Sequence, residues 1–528
     1  MALPPADPQA RPSGRRQIVR AATIVGVAFV VSRILGVTRD AVINFYFDID
    51  TLQANAYFIA SRFPETIFYI IAGGALGSAF IPTFSAYFVR DDEAGGWRLF
   101  SAIINLVTVV TVIVSALTAI LAPQIIAFFY PDLVADNPEL LRITVDLMRV
   151  MLLTPIIFGA SGVIMAALNA RQHFLLPAIA PIIYNLGIIV GAVMFAPNVM
   201  GLAYGTVAGA LGHLVIQLPG LSRRRGRYQT LLTLRDRGVR QVLRLMAPRV
   251  LGLSFGQLNH LLMQFLAQDM TLGSIPALGF AWRIMIMPQG IIGQALAIAA
   301  FPTFSTLAAQ AALAEMRRIV ADTLRLIAFL SLPAAALLMV LRRPIVTVLF
   351  ERGQFDQRST EFVAWALLFY AFSLVGLAAI EIISRAFYAL EDTRTPVVVG
   401  ALQLGAMWAL GTWLGNVIFP QLGWLSLGGL ALGYSISTVL EVILLLELLR
   451  RKMAGISGRH LFAGVWRMAL ASLLAGLAAW VVLQPLSATG PLLQLLLGSI
   501  AVGGTYLPAA LLLDIAELGQ LLAYVRKR

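Results

Sequence analysis

Phe80–Ser85 reads FIPTFS, and Ala300–Ser305 reads AFPTFS. Working outward from that pair in the same order, Gly74–Leu76 (GAL) meets Gln294–Leu296 (QAL). Ala122–Tyr130 (APQIIAFFY) meets RPIVTVLFE, which ends at Glu351. Farther on, Ala170 and Pro177 meet Ala389 and Pro396, and GLAYG at Gly201–Gly205 meets GLALG at Gly429–Gly433. One such match is within chance; an ordered series is an internal duplication with a period of about 220 residues. The repeated unit holds six apolar runs, an even number, so both copies enter and leave the membrane on the same side. That predicts a parallel repeat: two six-helix bundles about an axis along the membrane normal, with a site expected between them.

The runs themselves read as membrane spans. The chain is 59% hydrophobic and only 12% charged, where a soluble protein carries about a quarter charged residues. The fold class expected is an all-α polytopic membrane protein with about 14 transmembrane helices. The spans lie near 20–47, 53–88, 97–122, 138–170, 177–196, 201–220, 240–270, 276–310, 317–341, 359–390, 396–419, 427–450, 461–483 and 490–513. Pro64 and Pro82 in the second and Pro288 and Pro302 in the eighth mark bends. The expected division is a disordered cytoplasmic tail (1–19), an N-terminal lobe (20–220), a basic cytoplasmic linker (221–239), a C-terminal lobe (240–450) and two additional helices (461–525).

Loop charge sets the orientation. The formal net charge is +13. Much of it sits at Arg11, Arg15 and Arg16, in the linker at Arg223, Arg224, Arg225, Arg227, Arg235 and Arg237, at Arg450, Arg451, Lys452 and Arg459, and at Arg526, Lys527 and Arg528. With an even span count all of these fall on one side, the cytoplasmic one, with both termini. The opposite loops hold Asp48, Asp50, Asp132, Asp136 and Glu139; the exception is Arg342, Arg343, Arg352 and Arg358, diluted by Glu351, Asp356 and Glu361. This distribution argues for a bilayer and against nucleic acid as partner. There are no cysteines, and the four histidines (His173, His213, His260, His460) have no metal-ligand spacing. No Walker A, HExxH or GxSxG motif occurs, so the reading is a transporter, not an enzyme, with no cofactor. Coupling then falls to the membrane potential or an ion gradient, the ion unidentified.

Charge inside the spans points to the cargo. SRILGVTRD at Ser32–Asp40 places Arg33, Arg39 and Asp40 within the first run. A charge at bilayer depth costs at least ~2.5–3.5 kcal/mol, so three in one helix do not face lipid. Arg33, Gly36 and Asp40 share a helical face, with Gly36 leaving room between the charges; Arg39 projects about 100° away. Arg62 lies in the second run, and Arg283, within AWR, matches the ASR ending at Arg62. In the seventh run Gln257, His260, Gln264 and Gln268 make one polar stripe. Glu381 and Arg385 are a favourable i, i+4 pair in the tenth. Two readings compete for each group: interhelical packing, or the lining of a wet cavity. For the arginines the positive excess favours the cavity. A planar guanidinium binds phosphate oxygens in pairs and keeps its charge when partly dehydrated, so the expected substrate is anionic and phosphorylated.

SRILGVTRD, GGALGSAFIP (Gly73–Pro82), RLMAPRVLG (Arg244–Gly252), PQGIIGQAL after Arg283, and FYALEDTRTP (Phe387–Pro396) together resemble the MurJ (MviN) lipid II flippase family. That family belongs to the superfamily holding the multidrug and toxin extrusion (MATE) transporters and the polysaccharide flippases. The resemblance implies MATE-like lobes, alternating access, and transport of lipid II, the undecaprenyl-diphosphate-linked peptidoglycan precursor, across the bacterial inner membrane. It implies Arg33, Arg39 and Arg283 as cavity arginines, Asp40 as their neighbouring acid, and Arg62 as a further basic position in the second span; Gly36 joins them as a substrate-binding position on the first. Asn55, Gln257, His260, Gln264, Glu381 and Arg385 are candidates for the lining. The implied partners are lipid II, bilayer phospholipid and other cell-wall synthesis proteins, and the last two helices resemble a groove for the polyprenyl tail. Asn55, Gly73 and Ile286 stand where the family has acids, and 396–419 holds none, so a sodium site is not carried over. The competing readings are a related exporter of another polyprenyl-linked glycan or of a drug, and a non-transporting scaffold for cell-wall enzymes.

Overall fold

The structure, a computed structural model, describes residues 11–71, 75–223, 228–455 and 458–519. Each expected span corresponds to a helix or to a helix in pieces. In chain order these are α1 (Arg11–Tyr46), α2 (Leu52–Ile71 and Ala75–Val89), α3 (Glu93–Ile120), α4 (Pro138–Met151 and Leu153–Ala170), α5 (Leu175–Phe195), α6 (Met200–Val215) and α7 (Arg237–Ala267). Then follow α8 (Ser274–Gln289 and Ala295–Ala309), α9 (Leu313–Val340), α10 (Gln357–Tyr370 and Ser373–Ala389), α11 (Arg394–Trp413), α12 (Ser426–Lys452), α13 (Gly458–Leu483) and α14 (Pro491–Leu512). Among the described residues 10 helices are long and apolar enough to cross a membrane, or 11 with the bent α10 counted as one. The chain is a multi-pass membrane protein. Helix α1 begins at Arg11, inside the stretch expected to be a disordered tail. Gly73 and Gly74, three linker arginines (Arg224, Arg225, Arg227) and the terminal Arg526, Lys527 and Arg528 lie outside the described residues.

Breaks in the helices have local causes. Pro288 removes an N–H from α8 and crowds the preceding turn, and a π turn, Gly290–Gln294, follows it directly. The second piece of α4 carries Pro155 in its first turn, where a missing N–H is tolerated. The 47° bend between Tyr370 and Ser373 has no proline behind it and no sequence signal announced it. Short helices Ala122–Phe129 and Arg342–Phe350 form from the repeated segments APQIIAFFY and RPIVTVLFE, a structural echo of the duplication. Asp392 opens α11, accepting from the backbone N–H of Arg394 and Thr395 and from Lys452 Nζ at 2.7 Å. Burial opposes this carboxylate, but the Lys452 and Thr395 bonds outweigh it and hold its carboxyl at about 2. A lowered native value makes this a stabilising tie above about pH 4 that is lost as pH falls toward the native value.

The chain forms two compact units, Met1–Phe47 with Leu52–Gln257, and Asp48–Thr51 with Leu258–Arg528. The duplicated PTFS motif supplies a core phenylalanine to each. Phe84 is fully buried among Phe80, Trp97 and Phe100 in the first; Phe304 is fully buried among Met316, Ile327 and Phe387 in the second. The duplicated glycines also have a purpose. In the first unit a Cβ on Gly191 would lie 2.6 Å from the Cα of Gly205, and one on Gly187 2.4 Å from that of Gly209. In the second, a Cβ on Gly433 would lie 2.7 Å from the nitrogen of Gly411. Helices α5 and α6, and likewise α11 and α12, therefore touch backbone to backbone, the packing that membrane helices use in place of a hydrophobic driving force.

In the second unit, α13 and α14 dock on α9. Met468, Ala471, Ala475 and Ala479 pack with Phe329 and Tyr506, and Tyr506 Oη donates to the carbonyl of Phe329 at 2.8 Å. At one end Arg325 donates to both carboxylate oxygens of Glu517, at 2.5 and 3.0 Å, with both side chains buried. Gly464 lets the guanidinium pass, since a Cβ there would sit 2.7 Å from Arg325 Cζ.

Two predictions follow for the purified protein in detergent. Gly433→Ala forces apart two backbones and is expected to cost about 1–3 kcal/mol, lowering the melting temperature, whereas Gly405→Ala, mid-helix and where a Cβ meets nothing within 4 Å, does not lower it; equal melting of the two variants contradicts the close-contact account. Glu517→Leu strips a buried arginine of its carboxylate and is expected to destabilise by ~3–5 kcal/mol; an unaltered melting curve refutes the tie.

Candidate functional site

In the first unit the charged face of α1 is where the sequence placed it, but its side chains make contacts the helical wheel did not foresee. Arg33 is exposed, Arg39 half-buried and Asp40 buried. A Cβ on Gly36 would meet nothing within 4 Å, so the helix borders open space there. Neighbours in sequence do not normally face one another on a helix, yet the Arg39 side chain curls back. Its Nε and Nη2 donate to Asp40 Oδ1 at 3.0 and 2.8 Å. Its Nη1 donates to Asn185 Oδ1 at 3.1 Å, reaching across to α5. Asn185 in turn donates from Nδ2 to the carbonyl of Pro181 at 3.0 Å. The cluster thus joins α1 to α5 through one guanidinium, a carboxylate and a carboxamide. Asn44, one turn beyond Asp40, is buried, and its Nδ2 has no hydrogen-bond partner among the described residues.

Arg62 sits on α2 and pairs with Glu65 at 3.0 Å. Its Nε is buried and has no hydrogen-bond partner among the described residues. Glu65 is an acid that the sequence reading left out of the charge balance. It lies one turn along from Arg62 on the same face, a spacing that could have revealed it. Asn55 is buried on α2, at 1% exposure.

The second unit holds the other candidates. Arg283 is half-buried on α8, its Cζ 5.6 Å from the centre of the Phe280 ring. Glu381 and Arg385 form the expected ion pair along α10, and Arg385 Nη1 also donates to the Glu381 carbonyl at 2.9 Å. The polar stripe on α7 is divided in its uses. His260 packs edge-on against Trp282, with centroids 5.0 Å apart, and Trp282 meets Tyr434 and Tyr370 in turn. Gln264 and Gln268 are buried. Gln257 closes the first unit, and its Oε1 has no hydrogen-bond partner among the described residues.

The interhelical bond from α7 comes from a residue the stripe omitted. Asn259 Nδ2 donates to Gln403 Oε1 at 2.9 Å, and Gln403 Nε2 donates to Ser437 Oγ at 2.9 Å. In each unit, then, the first repeat helix bonds a carboxamide on the fifth. Among the described residues no three His, Cys, Asp or Glu side chains gather as a metal site would require. Chemically, the first unit offers a cationic group on α1 held by partners that leave two of its donors over; the second offers neutral amides, aromatics, the half-buried Arg283 and the self-paired Arg385.

Known proteins can now be set beside this geometry. Residues 46–499 match the family model of the lipid II flippase MurJ; Ser32–Asp40 precedes the matched segment. A lipid II flippase MurJ of Burkholderia cenocepacia is 27% identical over 88% of this chain and 90% of its own. A probable lipid II flippase MurJ of Buchnera aphidicola is 26% identical over 92% and 95%. Among solved structures, a lipid II flippase MurJ in an inward closed conformation superposes with a TM-score of 0.75 at 20% identity, covering 95% of this chain and all of that one. An inward-facing MATE transporter superposes at 0.68 with 15% identity, covering 81% and 98%. These structures share the fold, as the MATE-like expectation required, and the family match over most of the residues decides kinship: the chain belongs to the lipid II flippase MurJ family.

Proposed function

We propose that this protein is a flippase that carries lipid II from the inner to the outer leaflet of the bacterial cytoplasmic membrane by alternating access. Its relatives are named for that substrate, and the chemistry of the first unit suits it. Lipid II presents a diphosphate between sugar and polyprenyl chain, and a guanidinium fork matches phosphoryl oxygens in pairs. The observation carrying the reading is Arg39, a cation on a membrane helix whose bonds to Asp40 and Asn185 leave donors over. Arg33, beside the open space at Gly36, and Arg62 are the further contacts we assign in this unit, and Arg283 in the other. Asp40 restrains the positive charge so that the headgroup is released as well as bound. Both termini face the cytoplasm in this reading, and α13 with α14 carries the polyprenyl tail. A ~100 mV potential supplies ~2.3 kcal/mol per charge moved, sufficient to bias a two-state equilibrium.

The test is a headgroup-accessibility assay for lipid II in cells whose own flippase is depleted and replaced by this protein. Wild type restores outward exposure of the headgroup. Arg39→Ala, Arg33→Ala and Arg283→Ala, each still present in the membrane, are expected to reduce it at least about tenfold, the loss of one charge-assisted contact. Wild-type-like exposure in all three refutes the proposal, and arginine-independent efflux of a cationic drug would replace it with an exporter.

A further inference from the structure

We propose that Asn185 is a positioning residue for the substrate's diphosphate: with Asp40 it fixes the Arg39 guanidinium so that its remaining donors meet two phosphoryl oxygens. The inference rests on the flippase reading above and adds to it a residue on α5 that no charge pattern marks.

A guanidinium carries five N–H groups. Three are engaged, two by Asp40 Oδ1 and one by Asn185 Oδ1. Two are left over, one on each terminal nitrogen, the number of donors a two-point phosphate contact needs. A lone arginine in a wet cavity would spread over many rotamers, and ordering it on binding would weaken the complex. Asp40 alone does not fix it, because both of its bonds fall on a single carboxylate oxygen, about which the guanidinium can swing. The third bond, from a different helix, removes that freedom.

Asn185 is itself fixed. Its amide lies between a donor, the guanidinium, and an acceptor, the Pro181 carbonyl, so only one orientation satisfies both: oxygen to Arg39, nitrogen to Pro181. It is buried at 7% exposure on α5, which the glycine contacts clamp to α6. The second unit shows the same architecture without the charge, since Asn259 bonds Gln403, which bonds Ser437. There the amides satisfy one another as packing. In the first unit the equivalent bond goes to a cation that retains spare donors.

The experiment measures binding of geranylgeranyl diphosphate and geranylgeranyl monophosphate to the full-length purified protein by native mass spectrometry, with melting temperatures alongside. Asn185→Leu keeps the branched shape and heavy-atom count of the side chain and removes the acceptor; Asn185→Ala serves if the larger leucine does not fold. Positioning predicts a diphosphate affinity about tenfold weaker, a reduced preference for diphosphate over monophosphate, and no further loss when the change is added to Arg39→Ala. A purely structural role instead gives equal losses in both backgrounds together with lower melting, and that result overturns the proposal. Wild type that binds diphosphate while Asn185→Leu binds it equally well overturns the positioning role alone. Wild type with no diphosphate preference, unchanged by Arg39→Ala, overturns the flippase reading and this inference with it.

Discussion

An ion inside a bilayer must be answered by a partner, because hydrocarbon supplies neither charge nor hydrogen bond. The arrangement of polar groups in this protein follows from that demand. Each buried charge could have been neutralised completely, and some are. Arg325 reaches both oxygens of Glu517 with neither side chain open to solvent, a saturated pair whose natural role is to tie the last helices to the second unit. Arg39 is answered differently. It shares one oxygen of Asp40, borrows a carboxamide from α5, and remains partly exposed. The difference in saturation separates a charge that builds from one that, in the flippase reading proposed above, is left able to bind.

The same constraint explains why backbone contact is so close elsewhere. With lipid as apolar as leucine, helices gain by approaching, and the glycines of α5 and α6 and of α11 and α12 let main chains touch. That rigidity has a consequence for the charged cluster, because Asn185 lies on α5 between the glycine contacts and the proline whose carbonyl orients it. A side chain that has to aim a cation needs an anchor that does not move, and a glycine-packed helix provides one.

Much of this was legible before any coordinates. The repeats of PTFS and of GLAYG as GLALG revealed the duplication; that they hold a core phenylalanine and close-contact glycines came from the structure. Each apolar run read from hydropathy falls on a helix or a helix in pieces, and 10 or 11 of these among the described residues are long and apolar enough to cross a membrane. What escaped were isolated amides. Asn185 and Asn259 sit in apolar or polar surroundings without periodic partners, and a single carboxamide carries no pattern until the helix it faces is known. Glu65 was overlooked beside Arg62 because the count of charges followed motifs and not faces. The bend between Tyr370 and Ser373 lacks a proline or glycine at its centre, so no residue type marked it in the sequence. Local chemistry is readable from a chain, whereas the identity of a partner across a helix interface is not.

The central claim is that the charged face of α1 meets a polyprenyl-linked diphosphate during transport. The most direct measurement places a photoreactive amino acid at Gly36, where the helix borders open space, and identifies by mass spectrometry what it captures in membranes that are synthesising cell wall. The account predicts an adduct with lipid II that disappears when Arg39 is replaced by alanine. Capture of phospholipid alone, unchanged by that replacement, would contradict it.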